Sequence, residues 1–309
     1  MTDPADIPIR PARRGDLTAM VEFLQVAPAA RGTDPTADAG SLSDLRNRLV
    51  AVREGEIRGS AVVVRGAGRC AAIRPPRLLD WDVDLAARLL RAAAAHAARR
   101  HRARLIQSLI HPEAADQLAP ALERAGFEPL ATLSYMRRPI EPEEAQGEPD
   151  TPPGLTWQHY SRLRHRKFAD VIARTYIESL DCPGLAGLRT VDDSIDTHKH
   201  TGRFTPRAWH LVSDDGHPVG VAMVNDLKAR GELVYLGVAP EARCRGLGRT
   251  LLDRAIRDTA RMGLRRIGLA VDVTNTPAMR LYATAHFHET HRRLCWFVPA
   301  ERLDALGGL

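Results

Sequence analysis

One order of apolar strand runs and amphipathic helices occurs twice in this sequence, on either side of an acidic, proline-rich stretch, and no other feature limits the fold as much. The stretch is Glu141 to Gly154, EPEEAQGEPDTPPG, with four prolines, two glycines and no apolar periodicity, the composition of an exposed linker. Before it, the strand IPIRPA leads to a helix from Asp16 to Gln25 and to two strands about the turn Arg53 to Glu56. An alanine-rich helix from Asp84 to Arg100, the strand RLIQSLI, a helix ending at Ala125 and strand material in GFEPLATLSYMRRPI complete that half. After it come LTWQHY, a helix from Arg166 to Ser179, two strands about the turn Asp214 to His217 and the strand ELVYLGVAP. A helix from Gly248 to Arg261, the strand RRIGLAVDV, a helix starting near Thr276 and a strand near HRRLCWFVP close the second half. Strands alternating with helices in both halves predict an α/β fold with α+β mixed sheets, arranged as two tandem domains. Their expected bounds are residues 1–140 and 155–309, with the linker at 141–154.

Composition narrows the function classes. Cys70, Cys182, Cys244 and Cys295 lie far apart, without CxxC pairing, so a disulfide scaffold is not expected. The N-terminal MTDPADIPIRPARRGD lacks the apolar core of a signal peptide, and no apolar run is long enough to span a bilayer. A cytoplasmic protein without a membrane partner is expected. The formal charge of +6 raises the question of nucleic acid, but its basic residues are dispersed and only three are lysines, Lys167, Lys199 and Lys228. Nucleic-acid binding draws on clustered charge, so no nucleic-acid partner is expected.

The sharpest local signal is the junction GELVYLGVAPEARCRGLGRTLLDRA, Gly231 to Ala255, where an apolar strand passes through an Arg- and Gly-rich loop into an amphipathic helix. Glycines at Gly246 and Gly248 let the backbone approach a ligand, and a helix's first turn offers unpaired N–H groups and partial positive charge. That combination makes a phosphate cradle. Arg243, Arg245 and Arg249 add charge suited to a ligand more anionic than one carboxylate. The plain alternative is a tight turn that needs two glycines.

The spacing Arg243-x-x-Gly246-x-Gly248 after Val238 and Pro240 resembles the acyl-CoA pyrophosphate motif of the GNAT superfamily of N-acyltransferases. Downstream, Asn275-Thr276-Pro277-Ala278-Met279-Arg280-Leu281-Tyr282, then Phe287, is similar to that superfamily's second signature, an Asn leading into a helix with a Leu-Tyr pair. His286 stands where the superfamily usually has glycine before the Phe. The resemblance covers Leu155 to Pro299 and, weakly, the first half, which ends in Gly126-Phe127. A degenerate first domain with an intact second resembles the mycothiol synthase family. At the first half's equivalent junction, AAIRPPRLLDWDVDLAARLL has no glycine and carries Asp80, Asp82 and Asp84, which would repel a pyrophosphate.

The resemblance implies acetyl-CoA as acyl donor, without a metal, held by the strand backbone at Leu236, Gly237 and Val238, by Arg243, Arg245, Gly246, Leu247, Gly248 and Arg249, and by Asn275. An ammonium must lose a proton before it attacks a thioester. Glu232 matches the family's base position; the plain alternative is a strand-edge carboxylate. An N–H freed by a bulge at Gly237 is expected to stabilise the oxyanion. Tyr282 matches the position that protonates the leaving thiolate, or else only packs. Asp181, in YIESLDCPGLAGL, holds a cationic acceptor, or else is a solvated turn residue. His198 with His200, and His286 with His288 and His291, lack a completing ligand set for zinc, and Cys244 reads as a small filler. The expected function is acetyl transfer to a primary amine of a small metabolite or a protein N-terminus. The alternative is an acyl-CoA-binding regulator without turnover.

Overall fold

The structure is a computed structural model, and it describes residues 7–29, 44–146 and 152–305. The chain divides into two compact units, one formed by residues 1–131 and 293–309, the other by residues 132–292.

The first unit contains β1 (Ile9–Pro11), α1 (Leu17–Val26), β2 (Arg48–Arg53), β3 (Glu56–Arg65), β4 (Cys70–Leu78), α2 (Val83–His101), β5 (Leu105–Ile110) and α3 (Ala115–Arg124). Next in the chain are β6 (Glu128–Pro139), β7 (Leu155–His159), α4 (His165–Thr175), α5 (Val191–Lys199), β8 (Trp209–Asp214), β9 (His217–Asp226) and β10 (Gly231–Val238). They are followed by α6 (Leu247–Arg261), β11 (Arg266–Asp272), α7 (Thr276–Thr284), β12 (His288–Pro299) and α8 (Ala300–Ala305).

The first unit orders its strands β1-β2-β3-β4-β5-β12, and the second β6-β11-β10-β9-β8-β7. In each, among the described residues, the parallel neighbours are the fourth and fifth strands of that half, β4 with β5 and β10 with β11. The mixed α/β character expected of each half is therefore present, with one connection through a helix, α2 or α6, linking each parallel pair.

The domain bounds differ from the expectation at two strands. β6, expected to finish the first half, pairs along β11 from Arg266 opposite Pro139 to Asp272 opposite Leu133. β12, expected to finish the second, pairs along β5 from Leu294 opposite Ile110 to Pro299 opposite Leu105. Each unit thus receives its closing strand from the other half, so a fragment beginning at residue 155 would lack the strand beside β11. The cores agree with this division. Trp296 and Val298 are buried with the α2 residues Leu85, Leu89 and Leu90, whereas Met136 and Ile140 are buried with Leu252, Ala255 and Ile267.

Helix α6 shows how sequence pattern becomes packing. Leu247, Leu251, Leu252, Ala255, Ile256 and Thr259 recur at helical spacing and are buried, whereas Arg249 is exposed. A large apolar side chain so buried stabilises the fold by about 1.5–3 kcal/mol. Gly263, at a left-handed φ of 72°, follows the helix end, the stop expected of it. In the linker, Pro142–Ala145 forms a short 3-10 turn held by Glu144 accepting from the Glu141 N–H at 2.9 Å; residues 147–151 of the expected linker lie outside the described residues.

Candidate active site

The two strands that flank the expected donor site begin side by side and then part. β10 faces β11 only through Gly231 opposite Ile267 and Glu232 opposite Gly268, although both strands continue. A gap opens between them, bounded by Leu233–Val238 on one side and Leu269–Asp272 on the other. On its far side β10 stays paired with β9 up to Val238 opposite Gly220. Ala239 donates to the Val219 carbonyl at 2.8 Å, and bonded pairs alternate in an antiparallel ladder. Gly237 opposite Val221 is then a bonded pair, and Leu236 and Val238 turn their N–H and C=O groups to the gap. An extended ligand with amides of its own finds ladder partners there.

The bulge lies elsewhere than expected. Register shifts between Leu233 and Tyr235, so Val234 is the extra residue and Gly237 continues the ladder. What Gly237 provides is close approach: a Cβ there would stand 2.9 Å from the Thr175 side chain and 2.9 Å from the Tyr235 hydroxyl. The absence of a side chain lets α4 lie directly against the strand.

At the end of the gap the chain enters the loop before α6. Gly246 is the N-cap of α6 with φ 82°, and Cys244 is also left-handed at φ 60°. Among the described backbone bonds, the first-turn N–H groups of Arg249 and Thr250 return to the Gly246 carbonyl, and those of Gly246, Leu247 and Gly248 find no acceptor there. This is the N–H-rich end of a 15-residue helix, where helices in general attract anions. Leu247 is buried and anchors the turn, and a Cβ on Gly248 would stand 3.4 Å from Leu281 of α7.

The three arginines behave differently from one another. Arg243 turns inward: its guanidinium donates to the carbonyls of Val238 (3.2 Å), Thr175 (3.1 Å), Ile177 (2.7 Å) and Glu178 (3.4 Å). It thereby satisfies the C-terminal carbonyls of α4 and ties the following segment to the loop. Arg245 pairs with Asp214 at 2.8 Å and Arg249 with Asp253 at 2.8 Å; both arginines are exposed, but Asp214 is mostly buried, so Arg249 is the one that can exchange its surface carboxylate for a phosphate at small cost.

Glu232 stands where the gap begins. Its carboxylate accepts from Arg230 Nε at 2.9 Å, with side-chain exposures of 14% for Glu232 and 28% for Arg230. Tyr282 of α7 is 7% exposed and its ring lies 5.8 Å from that of Phe287. Burial pushes its phenol pKa up, and the Asp181 carboxylate adds to the shift. Asn275 caps α7 by accepting from the Ala278 N–H at 3.3 Å, and its side chain also hydrogen-bonds Asp181. His286, in the glycine position, holds φ 63°, the left-handed conformation that costs a residue with a Cβ about 1–2 kcal/mol. The turn is kept without the glycine.

Asp181 is part of a structured cluster. Its Oδ1 accepts from the Asp272 N–H at 3.2 Å, while Asp272 Oδ2 accepts from the Cys182 N–H at 3.3 Å. The segment after α4 is therefore pinned to the end of β11. Asp181 keeps more than a third of its surface, yet protein crowds its carboxyl: desolvation raises its pKa, and the nearby Asp272 carboxylate acts in the same direction.

Beside it are groups that sequence reading missed. Tyr235 bonds to the Thr175 hydroxyl, Tyr176 to Ser194 at 2.8 Å, and the His198 ring lies 5.5 Å from that of Tyr235. The helix bearing Ser194 and His198, α5, had one signal: Thr190 and Asp193 form a capping box. Burial drives the Tyr235 phenol pKa up and the His198 pKa down to about 3, the Arg189 cation adding to the latter. His198 Nε2 is buried without a hydrogen-bond partner. Because the folded pKa lies below the unfolded value of 6.5, the unfolded chain alone takes up this proton as pH falls. Full stability above pH 6.5 is then lost towards pH 3, by up to about 1.4 kcal/mol per pH unit. His198→Gln should flatten the difference in urea midpoints between pH 7 and pH 4.5 relative to wild type; equal slopes would deny the histidine this role.

Parts of this chain are similar to known proteins. Residues 175–287 match the family model described as Acetyltransferase (GNAT) family. The matched span lies within the second unit. A mycothiol acetyltransferase from Thermomonospora curvata is 29% identical over 55% of this chain and 57% of its own length. Another from Acidimicrobium ferrooxidans is 28% identical over 61% of this chain and 62% of its own. The chain thus spans less than two thirds of either relative. In fold, it resembles the crystal structure of a GCN5-related N-acetyltransferase from Sphaerobacter thermophilus, with TM-score 0.63, 20% identity and 97% of both chains covered. It also resembles a tandem GNAT protein from the clavulanic acid biosynthesis pathway, with TM-score 0.50, 16% identity, 96% of this chain and 99% of that one.

The first unit has the equivalent junction in a different chemical state. The α2 N-terminus, at the place where the second unit has its glycine turn, is capped by Asp82, which accepts from the Leu85 N–H at 2.7 Å. Asp80 pairs with Arg58, and Asp84 with Arg124. A carboxylate already occupies the place an anion would take. Across the parting β4 and β5, Ser108 donates to the Ile73 carbonyl at 3.0 Å. Among the described residues no group of three or more His, Cys, Asp or Glu side chains is placed to hold a metal, and no helix is long and apolar enough to cross a membrane.

Proposed function

We propose that the protein transfers an acetyl group from acetyl-CoA to a primary amine, at one site per chain, in the second unit. The observation that carries this reading is the gap between β10 and β11 ending at the glycine-capped N-terminus of α6. An extended pantetheine arm suits the gap-facing amides of Leu236 and Val238, and a pyrophosphate suits the N–H groups of Gly246, Leu247 and Gly248. A polar recess of about 380 Å³ beside the same helix turn, lined in part by Arg249, Thr250, Asp253 and His286, offers room for the nucleotide end.

The chemistry is direct. The amine nitrogen attacks the thioester carbonyl, the C–N bond forms, and the C–S bond breaks as the tetrahedral intermediate collapses. Glu232 takes the proton that the ammonium must shed, directly or through water, and Tyr282 returns one to the leaving thiolate. Burial raises the Tyr282 phenol pKa, so the phenol stays protonated at neutral pH and its O–H can hydrogen-bond the sulfur as charge develops there. The gap-facing N–H groups stabilise the oxyanion. Arg243 acts as a positioning residue: it fixes the segment carrying Asp181 instead of lying on the phosphates. The first unit, with its capped α2 terminus, is structural or serves the acceptor.

Calorimetry with acetyl-CoA, followed by free-thiol release with a panel of amines, tests the reading. One bound equivalent per chain and amine-dependent thiol release are expected. Two equivalents would return the donor role to the first unit, and binding without release to any amine would favour an acyl-CoA-binding regulator.

A further inference from the structure

The segment between α4 and α5 holds two opposite charges, Asp181 and Arg189, within electrostatic reach of each other but not paired. Asp181 is fixed at the end of β11 by the Asp272 N–H at 3.2 Å and by Asn275. Arg189 lies just before Thr190, the N-cap of α5, and is partly buried. Its positive field reaches Asp181, His198 and Tyr235, yet among the described residues its guanidinium makes no hydrogen bond and no ion pair. A partly buried arginine without a partner has lost water and gained little in return, which favours an anionic ligand. The crowded carboxylate of Asp181 gains correspondingly from a cation. Within reach of the same charges are neutral polar groups, the His198 ring with its unpartnered Nε2 and the Tyr235 hydroxyl. On the same segment, Ile177 and Leu180 are exposed at 54% and 50%, an apolar rim.

From this we infer that the acceptor is zwitterionic: an α-amino acid, or a molecule presenting a free α-amine beside its carboxylate. Arg189 holds the carboxylate and Asp181 the ammonium, with an apolar side chain directed to Ile177 and Leu180. The inference rests on the acetyl-transfer reading and assigns the substrate class of that site. The amine at Asp181 is the one acetylated, because the Asp181 carboxylate also lies within electrostatic reach of Tyr282, the proton donor to the departing thiol.

The test uses the full chain, acetyl-CoA and three matched amines: leucine, leucinamide and 3-methylbutylamine. Free-thiol release should give leucine a kcat/KM about 10- to 100-fold above either analogue, the worth of one charge-assisted hydrogen-bonded pair. Arg189→Gln should bring the leucine-to-leucinamide ratio close to one, whereas Arg189→Lys should restore part of it. Calorimetry of the same amines in the presence of CoA reads the preference even where turnover is slow, and acetyl-CoA binding by each variant reports an intact fold. Equal use and equal binding of the three amines by wild type, or a ratio unmoved by Arg189→Gln, overturns the zwitterion assignment and leaves acetyl transfer standing. Failure to bind acetyl-CoA at all overturns both.

Discussion

Glu232→Gln is expected to slow acetyl transfer roughly 10²- to 10⁴-fold while leaving acetyl-CoA affinity nearly unchanged. The carboxylate sits where β10 and β11 part, held by Arg230 at 2.9 Å, and the loop proposed for the phosphates follows only after the strand has run on to Val238, about 20 Å further at the rise of a β-strand. The substitution keeps the shape and a hydrogen-bond acceptor for Arg230 but removes the proton acceptor. The defect should shrink at high pH, where more of the amine arrives deprotonated. Tyr282→Phe behaves in the opposite way, since the variant lacks a proton for the thiolate at every pH and gains nothing from alkali. Parallel pH–rate profiles of wild type and both variants separate the two roles. Unchanged turnover in Glu232→Gln would make that residue a strand-edge carboxylate and move the proton to another group, with Asp181 next in line.

Gly246→Glu should raise the dissociation constant for acetyl-CoA by more than about 100-fold, two effects acting together. Gly246 holds φ 82°, and a Cβ added there would meet nothing within 4 Å, so the cost is backbone strain, about 1–2 kcal/mol for a residue with a side chain, and not a clash. The new carboxylate also places negative charge at the helix terminus proposed for pyrophosphate. Gly246→Ala isolates the strain alone and should weaken binding by a smaller factor. Calorimetric titration of the three proteins measures both contributions, and a Glu variant that binds like wild type would remove the loop from the donor site.

Much of this was legible in the sequence because local signals and tertiary outcome agree. Helix α6, its Gly263 stop and the β8–β9 turn at Asp214 to His217 follow from periodicity and turn chemistry, and the structure places them where the spacing predicts. The exchange of β6 and β12 was not legible. Alternation marks a segment as a strand but does not name its neighbour, so consecutive order suggested pairing within each half. Arg243 illustrates a second limit. An arginine in a glycine-rich loop reads as a phosphate ligand, and only the approach of α4 over Gly237 supplies the carbonyls that claim its guanidinium. Arg189 gave no pattern at all and His198 only the incomplete pairing with His200, since their meaning lies in what surrounds them.

The exchanged closing strands also set a timetable for synthesis. The first unit's opening segment, residues 1–131, leaves the ribosome early, but the strand that completes its sheet lies beyond residue 292. At about 5–20 residues per second the intervening chain takes roughly 10–30 s to make. Throughout that interval the edge of β5 meant for Leu294–Pro299 waits with unpaired backbone groups, an interval in which a chaperone, or a neighbouring nascent chain, competes for the place of the protein's own last strand.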